Sequence, residues 1–134
     1  MTIRLSKSEL GKYRQFLQVD QHELGADARI DTDSDTAPNP HDLYDAALAA
    51  CKAITLLMYA EKANIPLESV DIDIERDNAE ERSGTYRLHV DLRLKGPLDE
   101  SHRERLEKIA EKCPVHKLMT SVTTVVTSSC KLAD

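Results

Sequence analysis

Apolar residues recur along this chain at two periods, and the switches between them mark out its elements. In residues 12–19 (KYRQFLQV), Tyr13, Phe16, Leu17 and Val19 anchor a strand; Asp20-Gln21 turns it into a second strand at 22–28 (HELGADA). The polar stretch from Asp31 to Pro40 is a loop that prepares a helix. Asn39 is its N-cap and Pro40 its first helical residue, where the missing N–H costs nothing. The helix runs to about Ala63 or Asn64 and stops before Pro66. At about 1.5 Å per residue it spans roughly 36 Å. Its middle (AALAACKAITLLMYA) is apolar nearly all round, which marks a central, buried helix. Ala46, Ala47, Ala49, Ala50 and Ala53 allow another backbone to approach closely.

Beyond Pro66 the period returns to two. Residues 68–77 place Val70, Ile72 and Ile74 on one face and Asp71, Asp73 and Glu75 on the other, and residues 85–95 alternate in the same way. Joined by the polar link Asn78–Gly84, they form an antiparallel hairpin with one wet face. Asp99 or Ser101 caps an amphipathic helix carrying Leu106, Ile109 and Ala110; a short helix starts at Pro114, and the β-branched run 122–126 (VTTVV) closes the series as a strand. The order β-β, long α, β-β, α, short α, β points to an α+β fold in a single domain, 1–134.

Composition changes this picture in two ways. Aromatic residues make up only 4 %, with a single Phe, so the core is aliphatic and Ala-rich, and a homodimer would supply the missing burial. The net charge of −6, without a basic stripe, argues against nucleic acid as a partner. The apolar run Ala46–Ala60 is 15 residues long. A membrane span needs about 20, so none is expected. The N-terminal MTIRLSKSEL has no apolar signal core, so a cytoplasmic, reducing location is expected, where three cysteines are free or redox-active.

Two of those cysteines carry the candidate chemistry. Cys113 precedes Pro114 and is the candidate N-cap of a helix whose start would favour a thiolate, with His116 close by. Cys51 lies in the apolar helix, where burial makes a thiol inert unless a base or cation comes from elsewhere. Asp42 is a candidate base but lies nine residues earlier, about 13.5 Å along the axis and half a turn out of phase. It would reach Cys51 only from a second copy crossing at a two-fold axis. Cys-x-x-His at 113–116 is a fragment of a zinc pattern without a second close pair, so neither metal nor cofactor is expected. The glycines are isolated and form no phosphate loop, and Cys130 reads as a tail cysteine.

The segment Asn39-Pro-His-Asp-Leu-Tyr-Asp-Ala-Ala-Leu-Ala-Ala-Cys51, its continuation Lys-Ala-Ile-Thr-Leu-Leu-Met-Tyr-Ala, and Cys113-Pro-Val-His together resemble the OsmC/Ohr family of osmotically inducible and organic hydroperoxide resistance proteins. The resemblance covers about residues 12–128 and is nearer the less characterised OsmC-like branch. It implies an intertwined homodimer with long central helices between sheets, and a thiol peroxidase acting in oxidative-stress defence. Cys51 matches the peroxidatic cysteine and Cys113 the resolving one, joined through a sulfenic acid and a disulfide. A dithiol reductant, lipoylated protein in the better-known branch, resets the pair. That branch also uses an acid in the first helical turn and an arginine from the N-terminal hairpin. Here His41 stands where that branch has Glu, the acid is Asp42 one place on, and Arg14 and Arg29 are the nearest arginines. The alternatives are a protein of the same fold that binds a small apolar ligand, or one that senses redox state, without efficient peroxidase activity.

Overall fold

A computed structural model describes residues 1–133. The chain divides into two compact units: Met1–Ala47 with Asp77–Leu88, and Leu48–Arg76 with the chain from His89 onward. The long helix α1 (Pro40–Ala63) and the hairpin of β4 (Ser69–Asp77) and β5 (Arg87–Lys95) contribute residues to both. The remaining elements are β1 (Ile3–Lys7), β2 (Gln15–Val19), β3 (His22–Ala26), α2 (Glu100–Ala110) and α3 (Pro114–Thr120). This is the α+β class with antiparallel sheets and a long helix.

In the first unit β1, β2 and β3 form an antiparallel meander, with Leu5 opposite Leu17 and Leu17 opposite Leu24. Asp20 makes the β2–β3 turn in the left-handed region at φ 53°, which aspartate tolerates better than most residues. Strand β1 was not expected from the sequence. All five of its residues are exposed, so no buried face imprints a pattern, and it exists through pairing with β2. Arg14 donates from Nη1 to the carbonyl of Thr36 (2.6 Å) and to its hydroxyl (3.0 Å), bracing the loop that leads to α1. Gly25 makes room for that guanidinium: a Cβ there would lie 2.6 Å from Nη2. Buried Asp27 accepts from the Ala28 amide at 2.8 Å and from the Thr36 hydroxyl and amide. Its carboxyl is held below its ordinary range, first by the Thr36 hydroxyl.

Helix α1 starts as Asn39 and Pro40 require. The Asp42 amide donates to Asn39 Oδ1 (2.8 Å), and the Asn39 amide donates to Asp42 Oδ2 (3.0 Å), a reciprocal cap. At its other end, in the second unit, Asn64 turns left-handed at φ 55°. The amides of Ile65 and Asn64 then satisfy the carbonyls of Ala60 (2.9 Å) and Glu61 (3.4 Å) before Pro66 forbids continuation. By length and composition alone α1 could cross a membrane. Here Leu56 and Ala60 are sealed in the core of the second unit with Ile65, Leu106 and Ala110, against Val70, Leu92, Leu94 and Leu98.

The wet face of β4 and β5 carries the ion pairs Asp71–Lys95 and Asp73–Arg93, each 2.8 Å. Helix α2 is capped by Asp99, whose side chain accepts from the His102 amide at 2.8 Å. Residues 122–126 form no strand, contrary to the sequence expectation, and Val125 and Val126 are exposed. β-branched composition favours a strand only where a neighbouring strand takes up the backbone hydrogen bonds, and none of the described sheets includes this run.

Candidate functional site

Both cysteines singled out above belong to the second unit, and folding brings them together. Cys51 sits on α1, partly exposed. Its sulfur accepts the amide N–H of Val115 at 3.5 Å and lies 3.9 Å from the hydroxyl of Thr55 one turn on. Cys113 is the N-cap of α3, with extended backbone (φ −65°, ψ 144°) and Pro114 at the first helical position. Its sulfur accepts the amide N–H of His116 at 3.3 Å and is wholly buried. The two sulfurs thus take up consecutive amides of α3, and Cys51 is close enough to help raise the Cys113 thiol.

The cap position was expected to favour the Cys113 thiolate, and the structure corrects this. Burial is the largest influence and pushes the thiol above its ordinary value. The His116 amide and the charge of Lys52 pull the other way, and burial wins. Cys51, expected to be shielded from water, is instead the more open of the two.

His116 joins the thiols through its amide, while its ring faces elsewhere. Nδ1 lies 3.0 Å from Lys52 Nζ, and Nε2 lies 3.7 Å from Glu111 Oε2. Lys52 is the residue that sequence reasoning missed. It is buried, and its ammonium donates to the carbonyl of Ala110 at 2.7 Å. The available signal was its solitude: it is the one charged side chain in the apolar run Ala46–Ala60.

The other candidates lie in the first unit. Arg29, in the left-handed region at φ 51°, pairs through Nη2 with Asp42 at 2.5 Å and through Nε with Asp35 at 3.2 Å. The first-turn acid Asp42 is thus ion-paired with Arg29, one of the two arginines noted in the sequence. Arg14 is occupied at Thr36. His41 contacts Glu81 at 3.0 Å and stands edge-on to Tyr86. A cavity of about 420 Å³ lies there, lined by Pro40, His41, Tyr44, Glu81 and Tyr86. Among the described residues, no group of three or more His, Cys, Asp or Glu side chains is placed to hold a metal ion.

This α+β fold, carrying a paired-thiol centre, has counterparts among known proteins. The sequence model of the OsmC-like protein family matches residues 32–128, and the chain belongs to that family. Among solved structures it is similar to an OsmC-like protein from Mycoplasma pneumoniae (19% identity over 90% of this chain and 87% of that one, TM-score 0.73). It is similar to an organic hydroperoxide resistance protein OsmC from Legionella pneumophila (22% identity, 90% of each chain, TM-score 0.64). The organic hydroperoxide resistance protein OhrB of Bacillus subtilis aligns at 21% identity over 90% of this chain and 92% of that one, with a TM-score of 0.57. At these identities the likeness is one of fold. No curated protein sequence matches the chain.

Proposed function

We propose that this chain is a thiol peroxidase that reduces organic hydroperoxides in oxidative-stress defence, with Cys51 attacking and Cys113 resolving. The observation that carries the reading is the thiol pair itself: two sulfurs held by consecutive amides of α3, one partly open to solvent and one wholly buried. The open sulfur suits the attacking role. Its thiolate displaces alkoxide from the O–O bond, the sulfur loses two electrons to become a sulfenic acid, and the alkoxide leaves as an alcohol after taking a proton. The buried sulfur then attacks the oxidised one, the S–O bond breaks, and water leaves as the disulfide forms. A dithiol reductant, of the kind carried on lipoylated proteins, returns both thiols by exchange. Family membership and the hydroperoxide resistance proteins among the structural neighbours support the same reading.

The face of α1 that carries Cys51 continues into Ile54 and Met58, both exposed. An apolar surface beside the sulfur suits an alkyl hydroperoxide better than hydrogen peroxide. It also suits a second copy of the chain, so the working form is a cytoplasmic homodimer of one OsmC-like domain each. The deciding test mixes reduced protein with cumene hydroperoxide and, separately, with hydrogen peroxide. Consumption of the organic peroxide well above that of Cys51→Ser is the expected result. Equal rates for the two proteins sink the reading.

A second reading is a binding protein for a small apolar ligand, favoured by the aromatic-lined cavity at Tyr44 and Tyr86. Ligand affinity retained in the double Cys51→Ser, Cys113→Ser variant, together with no turnover in the native chain, selects it.

A further inference from the structure

We propose that Lys52 is the positioning cation of the disulfide-forming step, its buried ammonium stabilising the Cys113 thiolate as that sulfur attacks oxidised Cys51. The inference rests on the reading that Cys113 resolves. Lys52 is only 3% exposed and follows Cys51 directly on α1. Its two hydrogen-bond partners are the carbonyl of Ala110 (2.7 Å) and Nδ1 of His116 (3.0 Å). Those residues stand three before and three after Cys113, so one side chain grips both flanks of the bend that holds the buried sulfur.

Neither partner is a carboxylate. An ammonium taken out of water without an anion is costly. A thiolate formed at Cys113 supplies the missing negative charge. The grip also orders the acceptor: with Lys52 donating to Nδ1, that nitrogen keeps its lone pair and the ring proton sits on Nε2, towards Glu111. The groups facing Cys113 are then Cys51 and Lys52 from α1, His116 from α3, and Glu111 through the His116 ring. Lys52 is the cation whose charge draws the Cys113 thiol down against burial. Arg14 and Arg29, the arginines considered above, are held in the other unit by Thr36 and by Asp35 and Asp42.

Cys113 gives up its proton, its thiolate forms the S–S bond, and the S–O bond of the Cys51 sulfenic acid breaks. The departing hydroxide takes up one proton and leaves as water. Lys52 gives up no proton; it lowers the cost of the transient negative charge.

The test follows Cys113 ionisation in the reduced full chain by NMR of cysteine labelled with carbon-13 at Cβ, which needs no reagent to reach a buried sulfur. Lys52→Gln should raise the Cys113 midpoint by about one pH unit, and Lys52→Arg should keep it near the native value. After an organic hydroperoxide pulse, Lys52→Gln should form the disulfide about tenfold more slowly at neutral pH. The same substitution should slow disulfide formation more than it slows sulfenic acid formation, the latter read in the Cys113→Ser background. Lys52→Met, of similar length and uncharged, replaces Lys52→Gln if the latter does not fold. Equal Cys113 midpoints in the native and uncharged variants overturn the proposal. A chain inert to peroxide with a shifted midpoint removes the peroxidase reading but leaves the charge coupling in place. A chain that turns over peroxide with an unshifted midpoint removes Lys52 alone.

Discussion

The amide N–H of Val115 points at the sulfur of Cys51, 3.5 Å away, although 64 positions separate the two residues. The next amide, that of His116, donates to the sulfur of Cys113. The first amides of a helix have no acceptor within it. At the start of α3 two consecutive amides are taken up by two different sulfurs, which holds both against the same turn.

That shared turn leads to an intramolecular product. Oxidation by an organic hydroperoxide should end in a Cys51–Cys113 disulfide, found by mass spectrometry of non-reduced peptides. Cys113→Ser should stop at a sulfenic acid that dimedone labels on Cys51. Cys51→Ser should lose peroxide consumption by on the order of a hundredfold or more. Bridging of Cys51 to Cys130 instead would contradict the arrangement.

Stability should fall on the alkaline side. Burial pushes the Cys113 thiol up from its ordinary 9.0, so the folded chain keeps a proton that the unfolded chain releases. The contribution is whole below the unfolded value and is lost as pH rises through the folded value. The urea midpoint should therefore decline above about pH 9, and Cys113→Ala, though less stable at neutral pH, should show a flatter decline. Parallel pH profiles for the two proteins would show that Cys113 is not the group responsible.

Two glycines should respond differently to a methyl group. At Gly96, φ is 143° and a Cβ would meet the backbone carbonyl oxygen of Pro66 at 2.2 Å, with nothing flexible to yield. Gly96→Ala should cost about 3 kcal/mol or more in urea unfolding. At Gly25 the obstacle is the mobile end of Arg14. Gly25→Ala should cost about 1 kcal/mol, and less in an Arg14→Ala background. Equal costs at the two positions would contradict the contacts.

The reciprocal cap at the start of α1 should be measurable. Asn39→Ala removes the acceptor for the Asp42 amide and should cost about 1 kcal/mol, while Asn39→Ser keeps most of the stability. Chemical denaturation of the three proteins decides it, and an unchanged Asn39→Ala midpoint would mean that solvent caps the helix equally well.

Much of the fold was legible because its signals are local. Asn39-Pro40 and Pro66 bracket α1 within a residue, Asp99 (one of two candidates) and Cys113 cap the next two helices, period-two alternation located β2, β4 and β5, and the Asp20-Gln21 turn placed β3. Strand β1 and residues 122–126 were misread for one reason in opposite directions. A strand is completed by a neighbour, so the exposed Ile3–Lys7 gains strand character by pairing with β2, whereas the β-branched 122–126 pairs with none of the described strands. At the site, Cys51 and Cys113 were visible as residue types in context. Lys52 was visible only as a charge out of place, because its partners lie 58 and 64 positions away.

By itself the sequence determined the helices, their caps and stops, the alternating strands and the two thiols, since capping, proline geometry and side-chain periodicity act over a few neighbouring residues. The tertiary structure alone decided that Cys113 is the buried thiol and Cys51 the open one. It alone set an ammonium on Ala110 and His116, either side of the first, and an amide of α3 on each sulfur. Burial and electrostatics at a sulfur depend on what distant segments bring to it, and no stretch of sequence around either cysteine contains that information.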